Sequence, residues 1–189
     1  RTYQLLIHED LLDTLVGKEL LAIAWRMPTS ATANWPAAEV TYTNYDIYLS
    51  GSVPPNQRSL TFAENVVGPQ TQVRTGALVI AAESYRFGDT PNSFGPAIMF
   101  DSPWLYNGGH LLIEIRHNGF TGTSRSLDAI GTSIPGYGTL FSACWTGNYT
   151  GTSGSQGNFC VVRLSADDVI PVELTSFTAS VSANNVNLN

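Results

Sequence analysis

The chain has 189 residues, 43% of them hydrophobic, and a formal net charge of −6. That length suits one full-sized domain with an appendage, and no apolar run reaches the roughly 18 residues of a membrane-spanning helix, so membrane insertion is not expected. Lys and Arg together number nine, with Lys18 the single lysine; a chain so short of cations cannot neutralise a row of phosphates, and nucleic acid is not an expected partner.

Gly, Thr, Ser and Asn are abundant while strong helix formers are sparse, a composition that reads as all-β. The acidic balance is that of a solvated surface on an exported protein. The sequence begins at Arg1 with no visible signal peptide, which fits a processed chain or an excised piece.

Taken in order, Thr2–Ile7 reads as a first strand. Asp10–Gly17 follows as a turn or two of helix, with Asp10 as cap, Gly17 as stop, and Leu11, Leu12, Leu15 and Val16 on one face. Glu19–Met27 is a strand with Leu21, Ile23 and Trp25 on one face. In the run Tyr42–Leu49, Tyr45, Ile47 and Leu49 take the core parity, and Tyr42, Asp46 and Tyr48 the outer one. Ser50–Arg58, with Pro54-Pro55, is a loop. Gln70–Arg74 and Ala77–Ala82 are strands around Gly76; Ala97–Phe100 is another, broken by Asp101-Ser102-Pro103.

The strongest strand signal lies at 111–117. Leu111, Ile113 and Ile115 alternate with Leu112, Glu114 and Arg116, and Asn107-Gly108 and Asn118-Gly119 supply a turn at each end. This strand is expected at the centre of the fold, half-buried. Asn118–Ser126 is an exposed loop. Leu140–Trp145 and Phe159–Leu164 form a paired unit joined by a polar loop, with Cys144 and Cys160 at its base. A disulfide between them would add roughly 3 kcal/mol in the chain-entropy view and would mark an oxidising compartment; two buried free thiols are the alternative. The sum is roughly ten short strands separated by turns, an antiparallel two-sheet sandwich or jelly roll over residues 1–168. Residues 169–189 form a separate linker and β arm. Val172, Leu174, Phe177, Ala179 and Val181 make its apolar edge, a strand able to pair with another subunit.

Motifs of chemistry are few. His8-Glu9 has Leu12 where a zincin helix needs its second histidine, and His110 and His117 are separated by six residues of strand, so no metal site is expected. No G-x-S-x-G elbow occurs. Asp46 and Glu114, on the outer parity, read as solvated acids rather than a glycosidase pair. No catalytic residue and no cofactor are assigned. Trp35, Tyr42, Tyr48 and Trp104 offer a sugar-stacking platform or, equally, core and rim aromatics.

Two stretches carry a resemblance. Pro171-Val172-Glu173-Leu174-Thr175-Ser176-Phe177-Thr178-Ala179 resembles the connector that precedes the type IX secretion sorting domain in secreted proteins of Bacteroidetes and related bacteria. Phe100–Arg116, Ala22–Arg26 and Tyr45–Ser50 are similar to extracellular β proteins with a sorting-domain or PEP-CTERM-type anchor. The resemblance implies export and display on the cell surface. The expected function is therefore a non-enzymatic extracellular structural or adhesive protein, able to form homo-oligomers by strand addition. A carbohydrate-binding module of a larger secreted enzyme, with a polysaccharide partner, is the alternative.

Overall fold

The strand at Leu111–His117 lies in the middle of the largest sheet, as its alternation predicts. The structure, a computed structural model, describes residues 1–168 and the backbone of 179–182 and 185–188. In chain order the strands are β1 (Thr2–Ile7), β2 (Lys18–Trp25), β3 (Val40–Tyr42), β4 (Tyr45–Ser52), β5 (Val66–Arg74), β6 (Leu78–Ile80), β7 (Ile98–Leu105) and β8 (Leu111–His117). They continue with β9 (Ala129–Ile130), β10 (Phe141–Thr146), β11 (Ser155–Gln156), β12 (Phe159–Cys160), β13 (Val162–Asp168), β14 (Ala179–Ser182) and β15 (Asn185–Leu188).

The architecture is an all-β antiparallel sandwich. One sheet has the order β11-β10-β1-β8-β4-β5, and the facing one β13-β2-β7. Leu5, Ile47, Leu49, Ile113 and Ile115 from the first sheet meet Leu20, Ile23, Trp25 and Ile98 from the second, all at most 3% exposed. Burying side chains of this size contributes about 1.5–3 kcal/mol each. The short pairs β3–β6 and β9–β12 add Val40, Ile80 and Phe159 to the same core.

Several expectations are corrected. In place of one helix over Asp10–Gly17 there are two short 3₁₀ turns, Glu9–Leu11 and Asp13–Leu15, the first capped by the His8 side chain rather than by Asp10. Leu12 is buried while Leu11 and Val16 stay exposed, so they do not share a buried face. Leu20, not Leu21, enters the core, because β2 and β7 slip register between Leu20 and Ala22 and the inward parity changes there. The same slip places Asp101-Ser102-Pro103 inside β7 rather than after it. As an edge strand with a bulge, β7 tolerates a residue without an N–H.

The two cysteine-bearing runs do not pair with each other. β10 pairs with β1 and β11, whereas β12 pairs with β9 and β13 with β2. Both cysteines are free thiols. Cys144 Sγ lies 3.6 Å from Gln4 Oε1, while the Cys160 N–H donates to the Tyr3 hydroxyl at 2.8 Å. Tyr3 and Gln4 are consecutive in β1 and point to opposite faces. The sheet therefore stands between the thiols, and the expected disulfide is not formed.

β8 is also more deeply placed than alternation implies. Leu112 and Glu114 are as buried as Leu111 and Ile113. The outer face of the large sheet is covered by the segment 53–65 and the loop 147–154. Phe62 (2% exposed) presses on it; Gln4 Nε2 donates to Phe62 O at 3.1 Å, and Ser142 Oγ to Pro55 O at 3.0 Å. Thr2 Oγ1 is 2.8 Å from Asn148 O, and the Tyr149 hydroxyl donates to Asp46. Asp46 and Glu114 are each 2% exposed, contrary to the expectation of solvated acids. Glu114 accepts from Gln4 Nε2 and Arg116 Nε, both at 2.6 Å, so the buried carboxylate is paired.

Of the C-terminal arm, Val172, Leu174 and Phe177 lie outside the described residues. Ala179 and Val181 fall in β14, which pairs in register with β15 as a hairpin, Ala179 opposite Leu188 and Ser182 opposite Asn185. Among the described residues no helix is long and apolar enough to cross a membrane.

Candidate functional site

At one end of the sandwich the two sheets part around a cavity of about 650 Å³. Its floor is core: Trp25 of β2, Tyr45 of β4, Ile80 of β6, Tyr85 and Ile98. Its mouth is half-buried: Trp35, Tyr42, His117 and Phe120. Tyr42 reaches this place because the chain breaks at Thr43-Asn44. It belongs to the separate strand β3, so its parity is not that of β4 and it turns toward the core rather than out.

The aromatic rings brace one another. Trp35 meets Tyr85 and Phe120 edge-on at 5.5 and 5.7 Å; Tyr42 meets Tyr45, His117 and Phe120 at 5.3, 5.1 and 4.8 Å. Such pairs contribute about 0.5–1.5 kcal/mol each beyond area burial and hold the walls in a fixed geometry. The Trp35 indole N–H donates to Thr123 O at 2.8 Å, which ties the loop after β8 to the opposite wall. Gly95 is required beside Tyr85: a Cβ there would stand 2.6 Å from the ring.

Arg1 and Arg125 bring positive charge to the lining, while its tyrosines and histidine are uncharged. Burial pushes the Tyr42 and Tyr85 hydroxyls up to about 12, and Tyr45 is raised further, so all three stay protonated at any physiological pH. His117 is lowered to about 4 by burial and by the positive charge at Arg1, and is neutral. Its Nδ1 accepts the Gly119 N–H at 3.0 Å, which places the ring proton on Nε2 as a fixed donor. Tyr45 stacks on the His117 ring (5.7 Å, 5°) and accepts from Trp25 Nε1 at 3.2 Å. The cavity thus offers aromatic faces with neutral hydroxyl and imidazole donors, beside the guanidinium groups of Arg1 and Arg125.

Of the four aromatics named from sequence, the structure brings two together. Trp35 and Tyr42 line the cavity. Tyr48 lies on the other face of β4, with the Arg116 guanidinium 5.6 Å from its ring centre, and Trp104 packs against Tyr106 at 6.4 Å. No single platform of four exists. Tyr85 and Phe120 carry no sequence signal for the site, because only tertiary folding places their loops against Trp35. His117 is at the rim of the cavity, with the Gly119 N–H as its hydrogen-bond partner.

No protein-family model matches the chain, and neither the curated proteins nor the solved structures contain a match to it.

Proposed function

We propose that this chain is a non-catalytic extracellular adhesive domain that binds polysaccharide by holding a sugar ring in the aromatic cavity. The observation that carries the reading is the cavity itself. Its volume falls in the range of small-molecule sites, and it joins apolar ring faces to a few fixed polar groups. A pyranose presents an apolar C–H face and a rim of hydroxyls, and Trp35, Tyr42 and His117 Nε2–H match those two demands. A neutral His117 whose Nδ1 is already engaged is a donor rather than a proton shuttle, which favours binding over catalysis. Export and surface display rest on the acidic, lysine-poor composition and on the connector-like segment 171–179.

The test is a glycan array probed with the full chain, followed by titration of any hit. Trp35→Ala and Tyr42→Ala should abolish binding, while Tyr48→Ala and Trp104→Ala retain it. A blank array from folded protein, or a hit indifferent to Trp35→Ala, refutes the reading.

The hairpin favours a second role beside the first. A two-stranded ribbon is marginal alone and gains stability by joining a larger sheet. Addition to a neighbouring subunit would link copies into an open filament. Removing residues 170–189 should then abolish assembly measured by light scattering; assembly that persists in the shortened chain refutes this role.

A further inference from the structure

We propose that His8, Glu9 and His110 bind a divalent transition-metal ion of the zinc group through two imidazole nitrogens and one carboxylate oxygen. β1 and β8 are antiparallel with Ile7 opposite Leu111, so the next pair outward is His8 opposite His110. Cross-strand neighbours stand with Cβ atoms about 4.5–5.5 Å apart, and the two imidazoles are in contact, centroids 4.4 Å apart at 42°. One ligand atom from each of His8, Glu9 and His110 lies within 4.8 Å of the others. Around tetrahedral zinc, bonds of about 2.0–2.1 Å put donors about 3.3 Å apart. The remaining closure is within reach of side-chain rotation, because Glu9 is exposed and both histidines are half-buried.

The backbone beneath is already held. His8 N–H donates to Leu140 O at 2.8 Å, and His110 O accepts from Ser52 N–H at 3.0 Å. The strand-end backbone therefore stays paired while the side chains turn toward an ion. Each Nδ1 accepts a backbone N–H, from Asp10 at 3.3 Å for His8 and from Glu9 at 3.2 Å for His110. The nitrogen left for a metal is Nε2 on both rings. On loading, the Nδ1 bonds from the Asp10 and Glu9 N–H groups break as the rings turn, and the ring proton moves from Nε2 to Nδ1. For His8 it meets Asp10 Oδ2, 3.4 Å from Nδ1, which gives the carboxylate–histidine–metal relay that supports such ligands. Two neutral imidazoles and one carboxylate form a donor set suited to zinc, nickel or copper rather than to calcium or magnesium. Three protein ligands leave a fourth position for water. Asp10 adds negative charge beside the cluster, 3.4 Å from His8 Nδ1, and favours a cation there. The site lies at the end of β1 opposite to the aromatic cavity, about 20 Å away at the rise of a strand, and is independent of saccharide binding.

The test is calorimetric titration of the full chain with zinc chloride alone, paired with thermal melts. One zinc per chain and a raised melting midpoint are expected. His8→Asn keeps an oxygen acceptor for the Asp10 N–H and so preserves the cap; it and His110→Asn should each weaken zinc binding by at least about tenfold, and Asp10→Asn by roughly tenfold. His117→Asn should leave zinc affinity unchanged. If a variant melts early in the absence of metal, nitrogen-detected NMR of the unaltered chain decides instead: zinc should shift Nε2 of His8 and His110 and move both ring protons to Nδ1. A dissociation constant weaker than about 1 mM, or unchanged zinc binding in the His8→Asn/His110→Asn double variant, overturns the site.

Discussion

Phe62→Ala tests whether the outer face of the large sheet is truly covered. Phe62 sits on a single 3₁₀ turn, 2% exposed, with its ring over the sheet and against the loop at Gly154. Its backbone joins both partners: the N–H donates to Thr152 O at 2.9 Å, and the carbonyl accepts from Gln4 at 3.1 Å. Truncating a buried phenylalanine costs about 3–5 kcal/mol, from lost transfer energy and from the void left behind. Here the lower end applies. Phe62 already borders a cavity of about 280 Å³ that reaches Glu114 and Arg116, so water can enter the new space and solvate polar groups. A loss of about 3 kcal/mol corresponds to a midpoint lower by roughly 6–12 °C for a domain of this size. Urea unfolding should show a lower midpoint with an unchanged slope. Val67→Ala, at a side chain 50% exposed on the edge strand, is the control and should shift stability by less than about 0.5 kcal/mol. A Phe62→Ala loss below about 1 kcal/mol would mean that the covering segment is not packed on the sheet.

Melting curves with and without reductant should coincide, and denatured protein should titrate two thiols; loss of both thiols in the absence of reductant would show a bond. Before unfolding, Cys144 should react slowly, since burial pushes its thiol up to about 11. His117 is lowered to about 4 in the folded chain against about 6.5 unfolded. Between those values the unfolded chain holds the proton and the folded one does not, so stability should fall as pH drops from about 6.5 to about 4. His117→Asn should remove that part of the slope; an unchanged pH profile in the variant would place the titration elsewhere. Gly154→Ala should destabilise strongly, because a Cβ there would stand 2.1 Å from the Trp145 carbonyl oxygen, and backbone cannot swing aside as a side-chain tip can. A melting point equal to that of the parent chain would contradict that packing.

The all-β class, the central place of 111–117 and the turns around it were legible in the sequence, because strand periodicity and Asn-Gly turns act over a few residues. Binary pattern failed where one added residue changed parity: the bulge in β2 exchanged Leu21 for Leu20, and the break at Thr43-Asn44 turned Tyr42 inward. It failed again on β8, since alternation distinguishes the two faces of a strand without saying whether a second layer covers the outer one. Glu114 reads as a solvated acid until Gln4, Arg116 and Phe62 are placed around it. The cysteines read as a bridge because they flank one loop, yet they stand on opposite faces of a sheet. The same limit hid the functional candidates. Trp35, Tyr85 and Phe120 meet from three loops, and His8 meets His110, far away in the chain, through the pairing of β1 with β8. Local sequence thus determined which segments are extended and where the chain turns; which distant residues become neighbours was decided only by how those strands pair and stack.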